Sequence, residues 1–123
     1  MSCQIVQKLW GHEKIIVNND LYCGKIIVIE KNKIGSFHYH KIKDETFYLL
    51  SGKVKLKYSN SDDFDSCEEL IMEPGSSFRL FPRTRHQIIG LEDSEIIEFS
   101  TKDMVEDSYR VISSEHFIGG YNG

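Results

Sequence analysis

The sequence predicts an all-β domain, and three observations carry that prediction. Short runs rich in Ile, Val, Phe and Tyr follow one another at close intervals. Clusters of Asn, Asp, Ser, Gly and Pro separate the runs, as strand–turn alternation requires. No segment repeats its apolar residues with a sustained helical period.

Taken in order, strands are expected at Glu13–Val17, Tyr22–Glu30, Ser36–Lys41, Thr46–Leu50, Lys53–Tyr58, Glu69–Met72, Ser77–Phe81, His86–Ile89 and Glu95–Ser100. Turns are expected at Asn18-Asn19-Asp20, Asn32-Lys33, Ser51-Gly52, Ser59 to Ser66, Pro74-Gly75, Pro82, and Gly90 to Ser94. Lys53 to Tyr58 alternates most cleanly: Lys53, Lys55 and Lys57 share one face, and Val54, Leu56 and Tyr58 share the other. Lys25-Ile26-Ile27-Val28-Ile29 is apolar on both faces, which implies a covered outer face and suits a homodimer. Asp62-Asp63-Phe64-Asp65 reads as a solvated hairpin loop. Residues 103–116 are too irregular for a stable helix. The expected organisation is a single domain over 1–123, with a core over about 13–101 and a tail over 102–123.

At 123 residues the chain is long enough for one hydrophobic core, and 40% hydrophobic with 28% charged residues is the balance of a water-soluble domain. A net charge of -4 gives no general attraction to nucleic acid or to an anionic membrane. No apolar run is long enough for a membrane span, and the first residues carry no secretory leader pattern. Cys3, Cys23 and Cys67 are odd in number and widely spaced, which fits free thiols and a cytoplasmic location.

Chemistry concentrates in one stretch. His38 and His40 are two apart in a predicted strand, so both imidazoles leave the same face. Glu45 begins the next run in phase with Phe47 and Leu49, and a carboxylate on an apolar face needs a cation or another partner. Two imidazoles and a carboxylate converging on one inward face make a site for a divalent metal, which a third nitrogen donor would nearly complete. His12 and His116 lie outside this stretch and read as ordinary surface or hydrogen-bonded residues.

His38-Tyr39-His40, four residues, Glu45, six residues and Gly52 resembles the first motif of the cupin superfamily. Gly75, then Phe81-Pro82-Arg83, then His86 resembles the spacing of the second. The pattern departs from the family at turn positions: Asn32, Phe81, Arg83 and Gly90 stand where a glycine, a proline, a glycine and an asparagine are expected. The resemblance implies a jelly-roll barrel, the double-stranded β-helix of that family. It also implies one divalent transition metal ion (Fe, Mn, Ni, Co or Zn) held by His38, His40, Glu45 and His86.

Leu9-Trp10-Gly11-His12-Glu13, then Tyr22-Cys23-Gly24-Lys25, is similar to the lead-in of cupin sugar and sugar-phosphate isomerases of the mannose-6-phosphate isomerase kind. Ile97 to Ser100 and Glu106 to Arg110 are similar to their closing segment. This likeness implies a metal acting as Lewis acid on a small sugar or sugar phosphate, with isomerase- or epimerase-like chemistry. Glu98 is then the expected base if it faces inward, and Lys25, Arg85 and Arg110 are expected to meet an anionic group. Two other readings use the same ligands: a non-haem iron dioxygenase of a small molecule, and a non-catalytic, metal-dependent binding module.

Overall fold

The computed structural model of the protein describes residues 3–123. Among these residues are eleven strands: β1 (Gln4–Lys8), β2 (Gly11–Asn18), β3 (Cys23–Ile29), β4 (Phe37–Tyr39), β5 (Glu45–Ser51), β6 (Val54–Ser59), β7 (Glu68–Met72), β8 (Ser77–Leu80), β9 (Arg85–Gly90), β10 (Ser94–Ser100) and β11 (Tyr109–Ile112). They form two sheets, one ordered β1-β2-β3-β10-β5-β8 and the other β11-β4-β9-β6-β7. Pairing is antiparallel throughout both sheets. The remaining regular segments are short 3-10 turns at Phe64–Ser66, Val105–Asp107 and Ser114–Phe117. Among the described residues, no helix is long and apolar enough to cross a membrane.

Alternation decides what each strand contributes. Cys23, Lys25, Ile27 and Ile29 of β3 are buried, as are Glu45, Phe47 and Leu49 of β5 and Ser94, Ile96 and Glu98 of β10. Because these strands are antiparallel, register sorts the inward residues by chemistry. Ile96 pairs with Ile27 and Leu49, whereas Glu98 pairs with Lys25 and Phe47, and Ser100 with Glu45. One end of the barrel is therefore apolar and the other charged. Val54, Leu56, Met72 and Leu80 belong to the same hydrophobic core. Each such burial stabilises the fold by about 1.5–3 kcal/mol.

Nine strands match the expected ones, and two were not anticipated. β1 pairs with β2 from Gln4↔Ile15 to Lys8↔Gly11, yet none of its side chains is buried, so it leaves no apolar pattern to detect. A register shift between Arg110 and Ile112 breaks the alternation of β11 where it pairs with β4. The acidic loop is a hairpin between β6 and β7, but Phe64 folds back from it onto Phe37, with ring centroids 5.2 Å apart.

The departures from motif spacing have a backbone explanation. Asn32 and Arg83 adopt left-handed conformations, with φ of 67° and 75°, at positions where the family pattern places glycine. Asn32 is fixed by its N–H donating to Gly90 O at 2.7 Å, and Arg83 by its N–H donating to His40 O at 2.6 Å. Arg83 carries the larger conformational cost, since only Asn, Asp and Gly tolerate this region readily. Replacing it with glycine, Arg83→Gly, should raise stability by about 0.5–1 kcal/mol, the relief of strain less the entropy of a freer unfolded chain. Urea unfolding measures this; a lower midpoint would show that the Arg83 side chain contributes more than its backbone costs.

Candidate metal centre

At the charged end the sheets part around a cavity of about 260 Å³. His38 and His86 face each other across the paired strands β4 and β9, and His40 follows just beyond β4. One ring nitrogen from each imidazole lies within 4.8 Å of the other two. Glu45, at the start of β5, sits beside two of them, its Oε2 being 3.3 Å from His40 Nε2 and 3.7 Å from His86 Nε2.

The outward ring nitrogens fix the tautomers. His40 Nδ1 lies 2.9 Å from Asp107 O, and His86 Nδ1 lies 3.0 Å from Thr84 O. A carbonyl only accepts, so each of these Nδ1 atoms carries the proton and each Nε2 presents a lone pair to the centre. His38 Nδ1 is similarly occupied by Ser36, with its hydroxyl at 2.9 Å and its carbonyl at 3.3 Å. Burial, joined by the neighbouring imidazoles, holds His38 well below the usual histidine range. Burial likewise holds His86 down at about 4 and lowers His40, with Lys43 adding to the effect on His40. All three are neutral donors at physiological pH.

These residues fit a divalent cation. His86 Nε2 and Glu45 Oε2 are both buried without a hydrogen-bond partner, although each is aimed at the same point. An unpartnered buried polar atom costs about 1–3 kcal/mol. Burial pushes the Glu45 carboxyl well above its ordinary range, and the adjacent charge of Glu98 pushes it further. A cation among these atoms would satisfy both groups and restore the carboxylate.

A second charged cluster forms the adjoining wall. The Lys43 ammonium donates to Glu98 Oε2 at 2.9 Å and Asp103 Oδ1 at 3.0 Å, and lies 3.9 Å from Glu45 Oε1. The Lys25 ammonium donates to Asp103 Oδ2 at 2.7 Å and sits 3.5 Å from Glu13. Burial would raise Glu98, but the charges of Lys43 and Lys25 outweigh it and hold the carboxyl below its ordinary value. Asp103 follows the same balance: burial opposes, Lys43 and Lys25 prevail, and its carboxyl is held down at about 2.

Lys25, Glu98 and Arg110 therefore line the cavity with the four expected ligands, as do Trp10 and Glu13. Arg85 does not. Adjacent to inward-facing His86, it points to the outer face, where its Nε donates to Asp62 at 2.7 Å and its guanidinium covers the Tyr39 ring at 3.8 Å. Tyr39 in turn stacks on Tyr109, with centroids 5.2 Å apart. Lys25 is already matched by Glu13 and Asp103, so it is not a free cation. Lys43, Asp103 and Asp107 also take part in the site, without being expected from the sequence. For Lys43 a signal existed, since it lies two positions before Glu45 and thus in phase with it.

The sequence matches no family model and no curated protein. Solved structures do match. KdgF from Halomonas sp. is 18% identical, with 84% of this chain and 89% of that one covered and a TM-score of 0.71. The capsular polysaccharide assembling protein CapF from Staphylococcus aureus is 17% identical over 89% of this chain and 31% of its own, with a TM-score of 0.77. Oxalate decarboxylase from Bacillus subtilis is 13% identical over 88% of this chain and 30% of its own, with a TM-score of 0.74. The chain thus spans most of KdgF and about a third of the other two. These likenesses show the fold, a cupin jelly roll.

Asp103 gives the charged wall a testable signature. Its folded value lies below the ordinary 3.8, so its contribution to stability is present above about pH 4 and is lost as pH falls towards 2. On the order of 1–2 kcal/mol should disappear across that window, after allowance for its partial exposure. Asp103→Asn should flatten the acid limb of a stability–pH curve by that amount; parallel curves for the variant and the parent would contradict the assignment.

Proposed function

We propose that this cupin-fold chain is a metal-dependent enzyme acting on a small sugar or sugar phosphate, with isomerase- or epimerase-like chemistry. The observation that carries the reading is the pair of orphaned buried atoms, His86 Nε2 and Glu45 Oε2. Both are aimed at one point on the wall of an open cavity. A divalent ion held by His38, His40, Glu45 and His86 would supply Lewis acidity toward the carbonyl and hydroxyl oxygens of a bound substrate.

The remaining roles belong to the chain. Glu98 is kept ionised by Lys43 and Lys25, and its bonds from Lys43 and Ser100 both fall on Oε2. Oε1 is then the atom to take a proton from the carbon beside a substrate carbonyl. Return to the neighbouring carbon interconverts aldose and ketose; inversion of the same carbon would need the new proton to come from solvent or a second acid on the opposite face, with Glu98 keeping the one it removed. Arg110, opposite His38 in register and with no carboxylate within bonding distance among the described residues, is placed to meet an anionic end of the substrate. The cavity suits a small molecule, and its mixture of hydroxyl, carboxylate and ammonium groups suits a polyhydroxylated one. The name of CapF, a capsular polysaccharide assembling protein, is in keeping with carbohydrate chemistry on this fold.

Protein loaded anaerobically with Mn(II) or Zn(II) should interconvert members of a panel of five- and six-carbon aldoses, ketoses and their phosphates. Glu98→Gln should lower kcat by about 10²–10⁴-fold while retaining the metal. Oxygen uptake by Fe(II)-loaded protein, with no anaerobic turnover, would replace this reading with the dioxygenase.

A further inference from the structure

We infer that Asp107 is a positioning residue for the metal-binding side chains. Docking of the C-terminal turn and binding of an ion at His38, His40, Glu45 and His86 then reinforce one another. The inference rests on the metal reading proposed above and adds to it a residue far away in sequence.

Asp107 ends the 3-10 turn Val105–Asp107 and is only 3% exposed. Its carboxylate accepts the N–H groups of three consecutive residues: Lys41 at 2.9 Å and Ile42 at 3.2 Å on Oδ1, and Lys43 at 3.0 Å on Oδ2. Those three residues lie in the loop that joins two of the ligands, His40 and Glu45, and they belong to no strand. The main-chain carbonyl of Asp107 accepts the Nδ1–H of His40 at 2.9 Å. One residue therefore shapes the loop and orients the imidazole. Successive N–H groups converging on an anion make a rigid cradle, which sets the separation of the ligands at either end.

The surrounding contacts locate the effect at the site. Lys41 and Ile42 are exposed, so their conformation serves no core packing. Lys43 alone of the three is buried, and its ammonium reaches Glu98, Asp103 and Glu45. Asp103 anchors the other end of the same C-terminal segment, with its N–H donating to Asn18 at 2.9 Å. The segment is thus tied at both ends to groups that surround the metal-binding atoms. An ion that fixes His40 and Glu45 favours the loop shape that receives Asp107, and linkage makes the effect reciprocal.

Asp107→Ala and Asp107→Asn in the full chain test this, with Leu70→Ala as control. Leu70, half-buried against the hydrophobic core and opposite Leu56 in register, does not line the cavity. Zn(II) affinity, measured by competition with a chromophoric chelator, should fall about 10–100-fold in Asp107→Ala and by less in Asp107→Asn. Leu70→Ala should destabilise the metal-free protein yet leave affinity within about twofold of the parent, inside the usual scatter for independent sites. Zn(II) should also slow amide hydrogen exchange over residues 103–112 in the parent. If Asp107→Ala does not fold, the loss in Asp107→Asn decides. Unchanged affinity in the Asp107 variants, or a loss no greater than in Leu70→Ala, overturns the positioning role alone; failure of the parent to bind Zn(II) overturns the metal centre itself.

Discussion

Burying a carboxylate costs several kcal/mol unless cations or donors surround it, and this barrel buries Glu45 and Glu98 on adjacent strands. Much of the charged end is an answer to that constraint. Glu98 is neutralised within the protein by Lys43 and Lys25, and both lysines are in turn steadied by Asp103. Glu45 receives only a distant share of Lys43, at 3.9 Å, and otherwise faces imidazoles that burial keeps neutral. One carboxylate is paired internally, while the other is left beside the lone pairs of His40 and His86. That asymmetry marks the place for an exogenous cation.

The division of the barrel into apolar and charged ends follows from a single property, the period of two along a strand. On β3, β5 and β10 the inward face runs without interruption from isoleucine, phenylalanine and leucine to lysine, glutamate and serine. The same rigid strands that pack the core therefore hold the reactive groups. Arg83 and Asn32, both in the left-handed region, turn the chain at either side of the histidine strands. Backbone hydrogen bonds hold them there without the glycines that usually ease such turns.

Strand phase made much of this legible in the sequence. It placed His38 with His40, set Glu45 in line with Phe47 and Leu49, and allowed only one of Glu95 and Glu98 to face inward. The structure buries Glu98 and leaves Glu95 half-exposed. His86 became visible only through motif spacing, because its partners lie far away in sequence. Arg85 has the chemistry to meet an anion, but it neighbours inward-facing His86 and strand phase sends it outward. Lys43 meets Asp103 and Asp107 across separations of 60 and 64 residues, and no local pattern announces such contacts. β1 and β11 escaped for related reasons: one buries nothing, and the other is interrupted by a register shift.

The centre and its wall divide the work of the site. The imidazoles and Glu45 offer lone pairs, Glu98 offers an ionised oxygen, and the lysine–aspartate lattice fixes both without leaving a surplus cation. All of it depends on a cation binding where the orphaned atoms converge. Crystals grown with Mn(II) or Co(II) and measured at the metal's absorption edge test this directly. One anomalous peak per chain is expected, within bonding distance of His38, His40 and His86 Nε2 and of Glu45. Absence of a peak there, or a peak that persists in a His86→Ala crystal with undiminished occupancy, would contradict it.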